Sequence, residues 1–200
     1  MNARMAWRFG RAAVLSCGTV MTLRPFGEGD FDRLISWVRT PDELARWCGT
    51  FFSFPLDRAQ LFRYVESARQ PNMREIFAAI GATRDVVGHI EISMIWPHLS
   101  CRLSRVLIAP QARGQGLGGL LVKRAITHAF ETHHVDRIDL GVATDNVAAI
   151  ACYEAQGFGR VGLWVKAMVA DGNAIDVCWM TLTRAAWSTR LADAAGGPPG

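Results

Sequence analysis

The chain predicts a mixed α/β domain on one central, mostly antiparallel sheet, and three features predict it. Val106 to Ala109 is an apolar, strand-like run closed by Pro110. A glycine-rich turn follows, and after it Leu117, Leu121, Ala125 and Ala129 recur at the spacing of one helix face. Strand-like runs on both sides of this unit are joined by short turns, which is the connection antiparallel pairs use. The alternating strand–helix units of a doubly wound sheet are absent before the glycine loop.

In chain order, Met21 to Arg24 reads as a first strand. Asp30 can cap a helix with Phe31, Leu34, Ile35 and Val38 on one face. Thr40-Pro41-Asp42-Glu43 is a capping box with proline at the first helical position, opening a helix with Leu44, Trp47 and Cys48. Asp57-x-x-Gln60 repeats that logic for a helix with Leu61, Phe62 and Val65. Residues 75–80 and 86–95 read as strands joined by a turn at 81–85, and residues 101–109 as the strand that enters the glycine loop. A strand over 137–142 precedes a helix that Asp145 or Asn146 can cap and that Gly157 can stop. Residues 163–170 and 174–182 flank Asp171-Gly172-Asn173, a hairpin signal.

Two hundred residues, half of them apolar, suit one domain with a full core. That domain is expected over 21–186. Residues 1–20 are expected to be a disordered extension: Arg4, Arg8 and Arg11 precede Ala12 to Leu15 in the outline of a signal peptide, but Ser16, Cys17 and Gly18 break the apolar part. Residues 187–200, ending in Gly196-Gly197-Pro198-Pro199-Gly200, are expected to be a flexible tail. The net charge of +4 is spread without a Lys/Arg run, which supports an anionic small molecule and no nucleic acid. No apolar run reaches the ~18–20 residues of a membrane span, so no membrane partner is expected. The five cysteines are widely spaced with no Cys-x-x-Cys pair; reduced thiols in the cytoplasm and no metal site are expected.

A strand, a glycine loop and a helix N-terminus together make an anion site, because bare backbone N–H groups approach the ligand and the helix end adds partial positive charge. Gly114-x-Gly116-x-x-Gly119 satisfies a dinucleotide fingerprint, with Asp139 where a ribose-binding acid would lie. Arg113-x-x-Gly116-x-Gly118 satisfies a second pattern. The segment Asp145-Asn146-Val147-Ala148-Ala149-Ile150-Ala151-Cys152-Tyr153-Glu154-Ala155-Gln156-Gly157-Phe158 decides between them. Taken with the glycine loop, it resembles the two signatures of the GCN5-related N-acetyltransferases, nearest the group that includes spermidine and ribosomal-protein N-terminal acetyltransferases. A dinucleotide fold would need several more strand–helix units than the remaining residues allow.

The resemblance covers about residues 21–184 and implies a twisted sheet with a splayed fourth strand, acetyl-CoA as cosubstrate, and direct acetyl transfer in a ternary complex. The acceptor would be a primary amine: a polyamine-like molecule, an aminoglycoside or a peptide N-terminus. Arg113, Gly114, Gln115, Gly116, Leu117, Gly118 and Gly119 would cradle the pyrophosphate. Val106, Leu107 and Ile108 would offer backbone groups to the pantetheine arm, and Asn146 belongs to the same cofactor set. Tyr153 stands where the family places the tyrosine that protonates the departing thiolate. Residues 101–106, where several relatives place a glutamate base, carry no carboxylate. Alternation puts His89, Glu91 and Ser93 on one face of the neighbouring strand, and Glu91, at the place of a glutamate in spermidine acetyltransferases, is the expected base or anchor for a cationic amine, with His89 second. His133 and His134 lie at a helix end, where they favour its dipole. Trp37, Trp47, Phe51, Phe52 and Phe54, beside Asp42 and Glu43, could hold a cationic acceptor or simply be core. A non-catalytic acetyl-CoA sensor is the alternative function, and a homodimer is open.

Overall fold

The computed structural model describes residues 21–69, 74–95, 98–170 and 172–195. The expected extension over 1–20, Asp171 of the hairpin turn and the last five residues lie outside that set. Among the described residues the strands are β1 (Thr22–Pro25), β2 (Arg74–Ile80), β3 (Val86–Ile95), β4 (Ser100–Ile108), β5 (Arg137–Ala143), β6 (Gly159–Ala170) and β7 (Asn173–Thr183). The helices are α1 (Phe31–Trp37), α2 (Pro41–Cys48), α3 (Arg58–Ser67), α4 (Leu117–His133), α5 (Val147–Ala155) and α6 (Arg184–Ala195).

The strands form one sheet in the order β1-β2-β3-β4-β5-β7-β6. Every neighbouring pair is antiparallel except β4 and β5, which run parallel. That parallel ladder spans only Ser100–Arg102 against Arg137–Asp139. Beyond Arg102 the two strands part, so the sheet has the splayed fourth strand that the resemblance implies.

Both faces of the sheet are covered. Alternation along β2 sends Phe77 and Ala79 to one face and Ile76 and Ala78 to the other. On the first face Ile90, Ile92, Leu103 and Leu140 pack against α4 through Leu121, Ala125 and Ala129, the stripe the sequence predicts. On the second, α1–α3 bring Leu34, Trp37, Leu44, Trp47 and Leu61 over the sheet. Helix α2 reaches across the parted strands. Its Trp47 indole donates to the Arg105 carbonyl of β4 at 2.9 Å, while its Ala45 packs against Ala143, Ala170 and Ile175 on the other side.

The caps follow local chemistry. Thr40 accepts from Glu43 N at 3.1 Å and Asp57 from Gln60 N at 2.7 Å. Asn146, not Asp145, caps α5, accepting from Ala149 N at 3.2 Å; Asp145 instead pairs with Arg46 of α2 at 2.7 Å. Three expectations differ. Asp30 sits at the N-cap of α1 but its carboxylate makes no cap bond to that helix; it turns back instead, to Arg24 at 2.6 and 2.7 Å and to the Gly27 amide at 3.1 Å. Phe62 points outward on α3, and Tyr64 fills the inward position. The tail expected to be flexible from residue 187 is helical through Ala195. Trp187 stacks on Phe130 with ring centroids 4.9 Å apart, and Arg190 donates to the Ala155 carbonyl at 2.7 Å; these tertiary contacts override a weak local signal.

Candidate active site

The parting of β4 and β5 opens a gap whose far end is the glycine loop. Leu117 starts α4 on Gly116, which has φ 75° and provides no side-chain cap. Gly114 also has φ 75°. Glycine is required here on conformational grounds, since this left-handed region is unfavourable for residues with a Cβ. A Cβ built at either glycine would meet nothing within 4 Å, so both face open space. The first amides of α4 have no intrahelical acceptor, and they sit at the positive end of a 17-residue helix. Arg113 folds back, its Nε donating to the Ile108 carbonyl at 3.2 Å, and so ties the loop to the end of β4. A cleft of about 710 Å³ adjoins the loop, with Gly116, Gly119, Lys123, Gln156, Trp187 and Arg190 among its walls. Asp139 is not part of this site. It pairs in register with Arg102, six residues before the end of β4, roughly 20 Å from the loop at ~3.3 Å per residue, and it accepts from Thr181 and Arg137.

Before the loop, β4 carries a bulge. His89 pairs with Leu107 and Glu91 with Ser104, so Arg105 and Val106 together oppose Ile90 alone. Arg105 has φ 50°, and its carbonyl turns out of the ladder to accept from both Trp47 Nε1 at 2.9 Å and His89 Nδ1 at 2.8 Å. Its guanidinium is gripped as firmly. Nε donates to Glu91 Oε2 at 2.8 Å and NH2 to Glu91 Oε1 at 2.5 Å. The same carboxylate accepts from Tyr64 Oη at 2.6 Å and from Ser93 Oγ, with Arg74 at 3.3 Å. Phe51 lies under Arg105, 4.0 Å from ring centroid to guanidinium carbon. The cation the aromatic cluster attracts is therefore this chain's own arginine.

Glu91 is fully buried. Burial pushes its carboxyl up, but the Arg105 charge and the hydrogen bonds of Arg105, Ser93 and Tyr64 outweigh that and hold it below the ordinary carboxylate value. Burial raises the Tyr64 phenol, and the adjacent Glu91 charge adds to the effect. His89 is buried too, which lowers it to about 4 and keeps it neutral near pH 7. With Nδ1–H given to Arg105, its Nε2 has no hydrogen-bond partner among the described residues.

Tyr153 lies on α5, buried, its ring 5.9 Å from Phe158 in an edge arrangement. Burial raises its phenol above the ordinary tyrosine value, so it is protonated at neutral pH and has a proton to give. Cys152 is half-buried, its thiol likewise raised by burial, and its sulfur faces Gly118 and Gly119 at the start of α4. Asn146 is exposed at the other end of α5, its Oδ1 used by the cap.

The structure thus brings the glycine loop, Ile108 of β4 and Cys152 of α5 together, leaves Tyr153 in the core against Phe158 and Asn146 exposed at the other end of α5, and places Glu91 against α3. Alternation puts His89, Glu91 and Ser93 on one face as the sequence suggests, but that face is roofed by helices. Sequence reasoning missed Arg105, Tyr64 and the role of Trp47. An unpaired glutamate and an arginine among apolar strand residues were the available signal, but the register that joins them was not.

A family model described as "Acetyltransferase (GNAT) family" matches residues 38–158. Among curated proteins, the chain is similar to a spermidine N(1)-acetyltransferase of Vibrio cholerae, 28% identical over 120 residues that make up 60% of this chain and 69% of the relative. It is 29% identical over 115 residues to the L-amino acid N-acetyltransferase AaaT of Escherichia coli, covering 56% of this chain and 70% of that one. It is 35% identical over 81 residues to a kanamycin resistance protein of Rhizobium radiobacter, covering 40% and 69%. The crystal structure of the V. cholerae spermidine N-acetyltransferase in complex with CoA and spermine shares the fold, with a TM-score of 0.75, 23% identity, and coverage of 84% of this chain and 98% of that one.

Proposed function

The chain belongs to the acetyltransferase (GNAT) family of acetyl-CoA-dependent N-acetyltransferases, and from that premise we propose that it acetylates a small primary amine by direct attack within a ternary complex. The observation that carries this reading is the gap between β4 and β5, with an uncapped helix N-terminus beyond the free end of β4 and α5, the helix that carries Tyr153, packed against it through Cys152. In this reading the α4 amides at Gly116 to Gly119 hold the pyrophosphate. The backbone of Val106 to Ile108, freed from β5, runs along the pantetheine arm. The nucleotide end lies in the cleft beside Lys123 and Arg190, two cations suited to a phosphate.

The amine attacks the thioester carbonyl, the tetrahedral adduct collapses, and the C–S bond breaks. Tyr153 gives its proton to the departing sulfur; a raised phenol pKa suits this only where the same dry site also raises the thiol. Glu91 acts here as a positioning residue: it holds Arg105, and through Arg105 the bulge, while its own oxygens are already occupied. His89, at about 4, is too weak a base for an amine at neutral pH. The amine therefore loses its first proton to solvent before it attacks, rather than to a poised side chain, and the proton shed by its nitrogen as the amide forms restores the Tyr153 phenol. A homodimer in the cytoplasm belongs to the same proposal; the described cysteines, Cys48, Cys101, Cys152 and Cys178, are all unpaired, and among the described residues no helix is long and apolar enough to cross a membrane.

The test is a thiol-release screen with acetyl-CoA against polyamines, amino acids, aminoglycosides and short peptides, run beside thermal melts. Acetyl-CoA should raise the melting temperature in proportion to its occupancy and NAD should not, and at least one small amine should release coenzyme A. Release with peptides alone would replace the small-amine reading.

A further inference from the structure

We propose that Glu75, His128 and His133 form a binding site for one divalent cation of the zinc, cobalt or nickel type. Glu75 is the second residue of β2, and the two histidines lie on the last turns of α4. His128 Nε2 and His133 Nε2 approach the same oxygen, Glu75 Oε2, at 2.8 and 2.7 Å, and the three donor atoms lie within 4.8 Å of one another. The side chains are 24%, 17% and 15% exposed for His128, His133 and Glu75, buried enough to be fixed and open enough for an ion and its remaining waters to enter. The rings are held: His128 lies edge-on to Phe77 at 5.0 Å and to His133 at 5.5 Å. His133 is the last residue of α4, and the chain turns away at His134, which takes φ 52°.

Two imidazoles and one carboxylate suit zinc and its neighbours; calcium and magnesium ask for oxygen donors alone. Ligands at ~2.0–2.1 Å on one tetrahedral ion sit about 3.3 Å apart, so the two short contacts need open by only about half an ångström. Leu117 and His133 are sixteen residues apart on α4, about 24 Å at 1.5 Å per residue. The ion is therefore remote from the glycine loop and takes no part in acetyl transfer; it pins the end of α4 to β2. This inference does not depend on the reaction assigned above.

The experiment uses the full chain, stripped with a chelator and titrated with Co²⁺ and then Zn²⁺, read by calorimetry and by visible absorption. One Co²⁺ per chain should bind with the ligand-field spectrum of a nitrogen–oxygen site and be displaced by Zn²⁺. H128Q and H133Q keep a side-chain N–H for Glu75 and so preserve a purely hydrogen-bonded pin while removing an imidazole donor. Each should bind at least ten-fold more weakly, since changes to groups that only orient a ligand already cost ~10–100-fold. His134→Gln, at an exposed neighbour, should bind as the parent does. Absence of saturable one-to-one binding, an intense thiolate charge-transfer band, unchanged affinity in H128Q, or lost affinity in His134→Gln would each overturn the site.

Discussion

Acidification into the mildly acidic range should destabilise this fold through His89. The ring is 1% exposed, edge-on to Phe26 at 4.9 Å and to Trp47 at 5.5 Å. Burial lowers its pKa from 6.5 to about 4, and the hydrogen bond to the Arg105 carbonyl recovers only part of that. The unfolded chain has an ordinary histidine there. Between pH ~6.5 and ~4 the unfolded state binds a proton that the native ring refuses, so stability rises with pH across that window. The loss begins as pH falls below ~6.5 and is complete at ~4, where the native ring also protonates. A gap of about two and a half pH units at ~1.36 kcal/mol each is about 3 kcal/mol, a large part of an ordinary ~5–15 kcal/mol. His89→Gln cannot titrate and keeps a donor for Arg105. Denaturant unfolding at about pH 7.5, 6.5, 5.5 and 4.5 should show the parent losing about 2.5 kcal/mol more than the variant, because the last of the series stops half a unit short of the full window. Groups common to both proteins cancel in that difference. Parallel stability curves would refute the argument, because they would mean that the ring takes up its proton equally well in both states.

Gly116→Val should leave the chain folded, at a cost of about 1–3 kcal/mol for a β-branched residue at φ 75°, and should abolish coenzyme binding by calorimetry, since its side chain would project into the space left for the phosphates; affinity equal to the parent's would take the loop out of the site. Tyr153→Phe should lower kcat by ~10²–10⁴-fold with little change in coenzyme affinity, while Cys152→Ala stays active. The reverse pattern in steady-state kinetics would point to an acetyl-cysteine relay. Glu91→Gln should cost about 3 kcal/mol in denaturant melts, because it leaves the Arg105 cation, 11% exposed, without its counter-charge; a change within ~0.5 kcal/mol would show that the pair does not carry the bulge. With no poised base, kcat/KM for the amine should climb about ten-fold per pH unit toward the amine's own pKa. A plateau at ~6–7 would reveal a side-chain base instead.

What was legible in the sequence was local. The caps at Thr40, Asp57 and Asn146 use hydrogen bonds within three residues, the stop at Gly157 uses one φ of 98°, and the glycine loop is contiguous with the strand and helix it joins. What was not legible depends on partners distant along the chain. Glu91 reads as a free carboxylate until the β3–β4 register, shifted by one residue, brings Arg105 to it from fourteen positions away and α3 brings Tyr64 from twenty-seven. The residue pattern shows that Glu91 shares a face with His89, but not that helices cover that face. Helix α6 fails for the same reason: its stacking partner Phe130 lies on α4. His133 was placed correctly at a helix end, yet the group that meets it, Glu75, enters from another strand.

Arg105 is the point at which these distant parts meet, and that has a consequence for how the two substrates interact. Its side chain is held by Glu91 of β3 and, through Glu91, by Tyr64 of α3; its carbonyl is held by Trp47 of α2 and His89 of β3. The next residue, Val106, lies within the stretch of β4 that is free of β5 beyond Arg102 and runs to the glycine loop. Helices α2 and α3 roof the face on which an acceptor would bind, while β4 is the strand along which the coenzyme arm would lie. A shift of α2 must either carry the Arg105 carbonyl with it or break a 2.9 Å hydrogen bond at a buried indole, which costs ~1–3 kcal/mol when the group is left unsatisfied. A shift of α3 meets the same constraint through Tyr64 and a carboxylate that has no water to turn to. On the function proposed above, acceptor binding that moved either helix would be felt at the backbone beside the thioester, with the bulge, one extra residue in β4, as the mechanical link.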